Sequence, residues 1–254
     1  MRSEVQMTRT SLYVSAILLL GAPASGSEAV SPADIIRKAI RAQGGKEKVT
    51  RISCYRGKSS GRLTINDTVF PVTIAFWHKS PHFMKVSADV VVDGEIVVDT
   101  LVVSGTQGWH KRDEVVRELS EIQVEAAQEG FYKYQVLQLF PLLENPSFKL
   151  FKLGESRIED RVAIGLSVAS QGHRELKLYF DKETGLLIKC DSQTLGRGLK
   201  MVLQEEFFRD YRDFEGLKFP WKNLVLWNGK KHLEDELTEL RFLEKMDPNE
   251  FNKP

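Results

Sequence analysis

The stretch that decides the fold is LYFDKETGLLIKCD, residues 178–191. Two apolar runs lie on either side of the polar break DKETG, which is typical of two strands joined as a β-hairpin. We expect the Asp181 side chain to open the turn and Gly185 to supply the positive φ that closes it. Leu178 and Phe180 then face the same side of the sheet. Nothing in the stretch indicates catalysis, so its information concerns the fold.

The same hairpin signal recurs along the chain. Asp93-Gly94 and Asn228-Gly229 lie between apolar runs, where such dipeptides favour two-residue turns. A strand-like period of two runs from about residue 52 to residue 117 and again from residue 148 onward. Short turns between strands rich in Val and Ile predict an antiparallel meander rather than βαβ units. We expect five strands in the first region and about seven in the second.

Residues 31–43 predict a helix. Ser31 is a favourable N-cap, Pro32 suits the first helical position, and Gly44-Gly45 ends the segment. The predicted apolar face of this helix comprises Ile35, Ile36, Ala39 and Ile40.

Residues 119–144 predict a second helical segment, which we expect Gly130 and Pro141 to break into pieces. Its second half is very apolar and contains Val136, Leu137, Leu139, Phe140, Leu142 and Leu143. A helix that is apolar on most sides is buried or covers an apolar surface. Because a sheet of ten or more strands must curl, this segment is expected to lie inside the curl.

The predicted fold class is therefore α+β, mainly antiparallel β, with one curled sheet of ten or more strands covered by helices. The sequence shows no linker, low-complexity segment or internal repeat. We expect residues 27–254 to form a single domain.

The N-terminal residues 1–26 have a different character from the rest. Two arginines precede the apolar run 12–20, and small residues follow it, a pattern typical of a secretory signal peptide cleaved after Ala24 or Gly26. The alternative is an N-terminal anchor helix, although the run is shorter than the roughly 20 residues that span a bilayer. With 36 basic and 35 acidic residues, no global field favours nucleic acid. We expect an exported, periplasmic protein.

The sequence contains two cysteines, Cys54 and Cys190. Disulfides persist in exported proteins, so one bridge that closes a long loop is one alternative. Two buried free thiols that lie apart are the other alternative. Neither cysteine belongs to a CxxC motif, which argues against a zinc or redox site.

Candidate metal and nucleophile motifs do not fit their structural contexts. His78 and His82 have the spacing of two zinc ligands on a helix, but Pro81 and the strand-like flanks argue against a helix there. The segment 165–169, GLSVA, is close to a nucleophile elbow, but a polar turn follows it where a helix is required. We therefore predict no metal, no cofactor and no enzymatic activity.

Two pairs of adjacent carboxylates, Glu205-Glu206 and Asp235-Glu236, lie on predicted strands. Adjacent strand residues point to opposite faces, so the members of a pair do not share a proton. We interpret these residues as solvated charges or charges of an edge strand.

Several motifs resemble those of one family. They are the hairpin LYFDKETGLLIKC, the strand pair DYRDFEGLKFP, the closing segment MDPNEF and the N-terminal stretches AIRAQGGKEKVTRISCYRGKSSGRLTI and GTQGWHKRDEVVRELS. Over most of residues 31–254 the chain resembles the outer-membrane lipoprotein-sorting (LolA/LolB-like) superfamily of bacterial exported proteins. These motifs consist of turns and strand edges and specify fold better than function.

The resemblance implies a strongly curved half-barrel sheet with helices that cover the concave face. In the carriers of the family, the cavity receives lipoprotein acyl chains. The expected function is a periplasmic binding or carrier protein for a lipidated or apolar ligand, with lipoprotein sorting to the outer membrane as one such role. The alternative is a non-catalytic envelope interaction or scaffold module with a filled core. A pocket of several hundred Å³ would favour ligand binding.

Candidate cavity residues are large apolar side chains of the predicted strands and of the second helical segment, for each of which plain core packing is the alternative. They are Phe76, Phe83, Trp109, Val136, Phe140, Leu178, Phe180, Phe207 and Trp227.

A cluster of basic residues surrounds the first helix. For transient contact with an anionic membrane surface, the candidates are Arg37, Lys38, Arg41, Lys46 and Lys48. The alternative is a solvated helix face. We expect a monomer whose partners are lipid or lipoprotein acyl chains and not nucleic acid.

Overall fold

The computed structural model describes residues 30–254. The predicted signal peptide, residues 1–26, lies outside the described residues, together with its cleavage sites. In the described part, six strands come first, a helical segment follows, and seven strands complete the chain.

The first six strands are β1 (Cys54–Ile65), β2 (Thr68–Lys79), β3 (Phe83–Val92), β4 (Glu95–Ser104), β5 (Gln107–Arg112) and β6 (Val115–Glu118). The last seven are β7 (Lys149–Ile158), β8 (Arg161–Ala169), β9 (Leu176–Asp181), β10 (Leu187–Leu195), β11 (Met201–Phe214), β12 (Leu217–Trp227) and β13 (Lys230–Phe242).

The helices are α1 (Pro32–Gln43), α2 (Lys46–Val49), α3 (Glu121–Leu137) and α4 (Pro141–Glu144). Three short 3₁₀ turns lie at Thr50–Ser53, Arg197–Leu199 and Pro248–Phe251. No helix in the described part of the chain is long and apolar enough to cross a membrane.

All thirteen strands belong to one antiparallel sheet in the order β6-β5-β4-β3-β2-β1-β13-β12-β11-β10-β9-β8-β7. Each half of the chain is a meander, and pairing of β1 with β13 joins the halves. The sheet is curved and is not closed into a barrel. The predicted fold class of a curved α+β half-barrel is thus confirmed, with one more strand than the sequence indicated.

The topology explains why a helix crosses the sheet. Strands β6 and β7 follow one another in the chain but lie at opposite edges of the sheet. The connection between them must therefore traverse a face of the sheet, and α3 forms most of that connection. Contrary to the prediction, Gly130 does not interrupt this helix, whereas Pro141 begins the separate short helix α4.

The hairpin that joins β9 and β10 is built as its sequence predicts. The backbone N–H and the hydroxyl of Thr184 donate hydrogen bonds to Asp181 Oδ1, at 2.6 and 2.8 Å. Gly185 has a φ of 79°. Leu178 and Phe180 both lie in the main core, as their shared face requires.

Helix α1 also follows its local signals. The Ser31 hydroxyl accepts a hydrogen bond from the backbone N–H of Asp34 at 3.2 Å. Gly44, after the helix, has a φ of 122° and would place a Cβ atom 2.2 Å from the carbonyl oxygen of Gly216. Only glycine satisfies both the conformation and the close approach. The apolar face of α1 is buried as predicted.

The core has separate parts on the two faces of the sheet. The main cluster packs α1, α3 and α4 against β8, β9 and β10. A second cluster, which contains Trp77, Val102 and Phe251, lies between the C-terminal turn and the outer face of β2, β3 and β4. Cys190 belongs to the first cluster and Cys54 to the second, and both are free buried thiols. Of the two alternatives that the sequence left open, the structure therefore has two separate buried thiols and not a disulfide.

Candidate functional site

A partly enclosed cavity of about 330 Å³ lies between α3 and the central strands of the sheet. Its walls come from the concave faces of β1, β2, β3, β10, β11, β12 and β13, with Tyr134 and Leu137 of α3 on the opposite side. The volume falls at the lower end of the range of small-molecule sites, about 300–1,000 Å³. The α3 helix therefore covers the concave face without filling it.

Strand alternation assembles most of the cavity wall. Residues two apart on a strand share a face, and three successive residues of this kind on β13, Leu233, Asp235 and Leu237, all line the cavity. Strand β11 contributes Glu206 and Phe208 in the same way. Near Asp210, which has a φ of 52°, this pattern changes.

The change at Asp210 brings one more residue to the cavity. The next residue, Tyr211, lines the cavity, and its hydroxyl donates a hydrogen bond to the carbonyl oxygen of Leu187 at 2.6 Å. This bond anchors the tyrosine between β10 and β11.

Most of the lining is apolar. The apolar and aromatic lining residues are Ile52, Tyr55, Ile74, Phe76, Val86, Tyr134, Leu137, Leu187, Phe208, Tyr211, Phe219, Pro220, Trp221, Leu233 and Leu237. The ring of Tyr55 lies edge-on to Phe76 and Phe219, with centroid distances of 5.9 and 6.3 Å. Such rings provide a large apolar surface for a ligand.

A glycine makes room for one of these rings. A Cβ atom at Gly57 would lie 2.6 Å from Cζ of Phe76 and 2.5 Å from the carbonyl oxygen of Glu239. The Phe76 ring therefore rests across β1 at a position where no side chain fits.

The cavity has a polar region around a buried ion pair. Lys133 Nζ of α3 lies 2.8 Å from Glu206 Oε2, and only 12% and 13% of the two side chains are exposed. Burial opposes the charge of Lys133, but the adjacent Glu206 carboxylate and other neighbours outweigh it and raise the Lys133 pKa. Asn223 Nδ2 lies 3.3 Å from the other oxygen of Glu206. The pair holds α3 against β11 across the cavity.

Asp235 is the second carboxylate of this region. Burial raises its pKa, against the effect of a hydrogen bond with Ser59. Asp235 lies directly opposite Asn223 on the neighbouring strand. Within residues 30–254, Oδ1 of Asp235 and Oδ1 of Asn223 are buried and have no hydrogen-bond partner.

Two more lining residues have free polar atoms. His78 and Gln43 are only 4% and 5% exposed, and His78 Nδ1 and Gln43 Oε1 have no partner within the described residues. Burial lowers the His78 pKa to about 4, so its ring is neutral at pH 7. The other ring nitrogen, Nε2, lies 3.1 Å from Oγ of Ser80.

The structure brings one predicted ligand-binding residue, Phe76, into this cavity. Others belong to the main core beside it: Val136, Leu178 and Phe180 are fully buried there, and Phe140 packs against them. Their predicted apolar environment is present, but it is filled by protein atoms.

The remaining predicted residues lie elsewhere. Phe83 and Trp109 pack in the cluster on the outer face of the sheet. Phe207 also lies outside, beneath the Lys189 ammonium, because Phe208 on the same strand takes the cavity-facing position. Trp227 stacks on His232 at 3.5 Å, in a separate depression at the end of β12.

The sequence interpretation missed the polar residues of the cavity. It placed the members of each carboxylate pair on opposite faces, which is correct, but took both as solvated or edge charges. The useful signal was the pattern Leu233-x-Asp235-x-Leu237, in which a carboxylate shares its face with two leucines. His78 was interpreted as a turn residue, whereas it belongs to β2.

The basic cluster around α1 carries less free charge than the sequence suggests. Arg37 pairs with Asp34 at 2.7 Å, and Lys46 pairs with Glu144. Lys38 Nζ donates hydrogen bonds to the carbonyl oxygens of residues 182 and 183, at 2.7 and 3.2 Å. Lys38 thus fixes α1 to the turn between β9 and β10.

Metal ligation finds no support in the side-chain geometry of the described part. Among residues 30–254, no group of three or more His, Cys, Asp or Glu side chains is arranged to hold a metal ion.

Comparison with known proteins identifies the fold. No family model matches the sequence, and no curated protein matches it. Among solved structures, the chain is similar to a LolA superfamily protein from Nitrosomonas europaea, with 11% identity and a TM-score of 0.55 over 89% of this chain and 99% of that chain.

Two further structures share this architecture. A DUF1329 family protein from Desulfovibrio piger has 12% identity and a TM-score of 0.54, over 86% of this chain and 95% of that chain. A candidate outer membrane lipoprotein-sorting domain from Vibrio parahaemolyticus has 13% identity and a TM-score of 0.51, over 86% of this chain and 97% of that chain. The chain therefore has a LolA-like fold, as its sequence motifs predict.

Proposed function

We propose that this chain, which has a LolA-like fold, is a periplasmic binding or carrier protein for a lipidated or otherwise apolar ligand. The observation that carries the proposal is the 330 Å³ cavity under α3, whose lining is mostly aromatic and aliphatic. Removal of an alkyl chain from water contributes about 0.8 kcal/mol per buried CH₂. Binding of this kind needs no covalent step and no cofactor.

The size of the cavity limits the ligand. A volume of about 330 Å³ suits a small apolar molecule or a single alkyl chain. We propose that a ligand with several chains would place one of them under α3. The partly enclosed shape leaves a route by which the rest of such a ligand would remain outside.

The alternative of a scaffold module with a filled core requires a concave face that is packed solid. Helix α3 instead buries Phe131, Tyr132 and Val136 and leaves space beside Tyr134 and Leu137. The open volume on this side favours ligand binding.

Lipoprotein sorting to the outer membrane is the more specific form of the proposal. Its support is the fold that this chain shares with lipoprotein-sorting proteins. We include transient contact of Arg41, Lys48 and their neighbours with anionic lipid as an accompanying proposal, because these basic residues lie together around α1 and α2.

Binding of N-phenyl-1-naphthylamine, an apolar fluorescent probe, tests whether the cavity takes an apolar ligand. Leu233→Trp places a large ring in the cavity and should abolish probe binding. The matched control is Leu203→Trp, since Leu203 is exposed on β11 and lies outside the cavity, and this variant should bind like the wild type. Native mass spectrometry of protein purified from the periplasm should show a bound apolar ligand. Ligand-free masses together with no probe binding by the wild type would reject the proposal.

A further inference from the structure

The polar part of the cavity offers acceptors that the described protein atoms leave unused. Oδ1 of Asp235, Oδ1 of Asn223 and Oε1 of Gln43 are buried without a partner, and all three side chains line the cavity. Because Asn223 Nδ2 faces Glu206, the orientation of its amide is fixed, and its oxygen is the free atom. Buried polar atoms of native proteins are nearly always hydrogen-bonded, so these three acceptors are available to a ligand that donates hydrogen bonds.

The charged side chains that line the cavity have one sign. Within the described residues, the cavity lining contains two carboxylates, Glu206 and Asp235, and no lysine or arginine. Lys133 reaches Glu206 from α3 at 2.8 Å and compensates its charge. No salt bridge in residues 30–254 compensates Asp235. Burial raises the pKa of the Asp235 carboxyl group.

The inference from these atoms rests on the proposed function and adds the chemistry of the ligand's head group. We propose that the natural ligand combines an alkyl or aromatic body with a hydrogen-bond-donating head group, preferably a protonated amine, which binds between Asp235 and Asn223. The body lies against the aromatic wall around Tyr55, Phe76 and Phe219. A carboxylate or phosphate head is repelled by Asp235, and the described lining of the cavity offers it no lysine or arginine.

The physical basis is selective compensation of a buried charge. An isolated carboxylate in an apolar site is unfavourable unless it is paired. An ammonium that donates to Asp235 and Asn223 makes a charge-assisted hydrogen bond, which is about twice as strong as a neutral one. A hydroxyl at the same place donates one hydrogen bond but brings no positive charge to compensate Asp235, and a carboxylate donates none.

Three probes with the same chain and different heads test the inference: decylammonium, decanol and decanoate, each titrated into the whole protein by calorimetry at pH 7. We expect the wild type to bind decylammonium about tenfold more tightly than decanol, the ratio that about 1.4 kcal/mol of extra hydrogen-bond energy produces. Decanoate should bind most weakly.

The test variant is Asp235→Asn, which keeps the shape and removes the charge. It should bind decylammonium and decanol about equally, with the affinity for decanol unchanged. The matched control is Glu236→Gln on the opposite face, where the native carboxylate pairs with Arg212 at 3.0 Å. This control should keep the wild-type ratios, and a thermal melt of each variant shows that it is folded.

The outcomes separate the two proposals. If all three probes bind equally well, or if decanoate binds as tightly as decylammonium, the head-group inference is wrong while apolar binding stands. The same conclusion follows if Asp235→Asn retains the preference for decylammonium. If none of the probes binds the wild type, the proposed function fails, and this inference fails with it.

Discussion

Glu205 and Glu206 are consecutive on β11, yet each forms an ion pair on a different face of the sheet. Glu205 pairs with Lys189 on the outer face at 2.6 Å, and Glu206 pairs with Lys133 of α3 in the cavity at 2.8 Å. Only the second pair joins a helix to the sheet. The two neighbours therefore form a natural matched pair for mutation.

Glu206→Gln should destabilise the protein by roughly 3–5 kcal/mol, because it leaves the buried Lys133 without its counter-charge. Glu205→Gln should cost less, since Lys189 retains Asp191 at 3.0 Å. Urea denaturation measures both changes in the free energy of unfolding. Equal losses in the two variants would contradict the distinction between the faces.

Stability should fall in acid because of His78. Burial lowers the folded-state pKa to about 4 from 6.5, so the unfolded chain binds a proton more readily than the folded one. The contribution of neutral His78 to the free energy of unfolding is complete above the unfolded-state pKa. It is lost as the pH falls from about 6.5 to about 4, and the loss is at most ~3 kcal/mol. Chemical denaturation of wild type and His78→Asn at pH 7 and pH 4 measures it.

His78→Asn should lose less stability between these two pH values than the wild type does. His82→Asn is the control, since His82 is exposed in the turn between β2 and β3, and its pH dependence should match the wild type. A wild-type slope in the His78 variant would show that other groups cause the acid sensitivity.

Gly57→Ala should destabilise the protein by about 1–3 kcal/mol, as expected for overpacking. The added methyl group would collide with Phe76 and with the backbone carbonyl of Glu239, at 2.6 and 2.5 Å. Displacement of the Phe76 ring should also weaken binding of the naphthylamine probe. Thermal denaturation and probe titration of the same sample check both effects, and unchanged affinity would separate Phe76 from the binding wall.

Gly130→Ala, in contrast to Gly57→Ala, should increase the free energy of unfolding. Gly130 lies inside α3, and a Cβ atom there has no neighbour within 4 Å. Alanine in a helix interior is more stable than glycine by roughly 0.5–1 kcal/mol. An increase in the urea midpoint with an unchanged slope is expected, and a decrease would mean that the helix is not continuous at this position.

Thiol labelling tests the state of the cysteines. Burial raises the pKa of Cys190 to about 12, so its thiolate is scarce and it should not react in the folded protein. In denaturant without reductant, both Cys54 and Cys190 should take up iodoacetamide, which the mass of the intact protein reports. A protein that is labelled only after reduction would contain the disulfide that the structure lacks.

Local signals were the ones that the sequence expressed most directly. The turn at Asp181 and the caps of α1 depend on residues within four positions of one another, and each forms as predicted. The face of the sheet on which a strand residue lies was harder to predict from the sequence, because a shift of one residue in the strand exchanges the two faces. Phe207 and Phe208 illustrate this, since both are aromatic and only the second reaches the cavity.

The distinction between core and cavity depends on distant parts of the chain. Leu178 and Phe76 are both apolar strand residues of the concave face, but α1 and α3 cover the first and leave space above the second. That outcome requires the pairing of β1 with β13 across most of the chain. No short sequence pattern encodes such a relationship, whereas the antiparallel architecture follows from the turns alone.

The path of α3 has a mechanical consequence. Its N-terminal end is linked to β6 through residues 119 and 120 only, and its C-terminal end leads through α4 to β7 at the far edge of the sheet. Because α3 is connected to both edge strands of the sheet, it does not rotate away from the sheet about one end. We therefore expect entry of a bulky ligand to require a change in the curvature of the thirteen-stranded sheet, and not a movement of α3 alone.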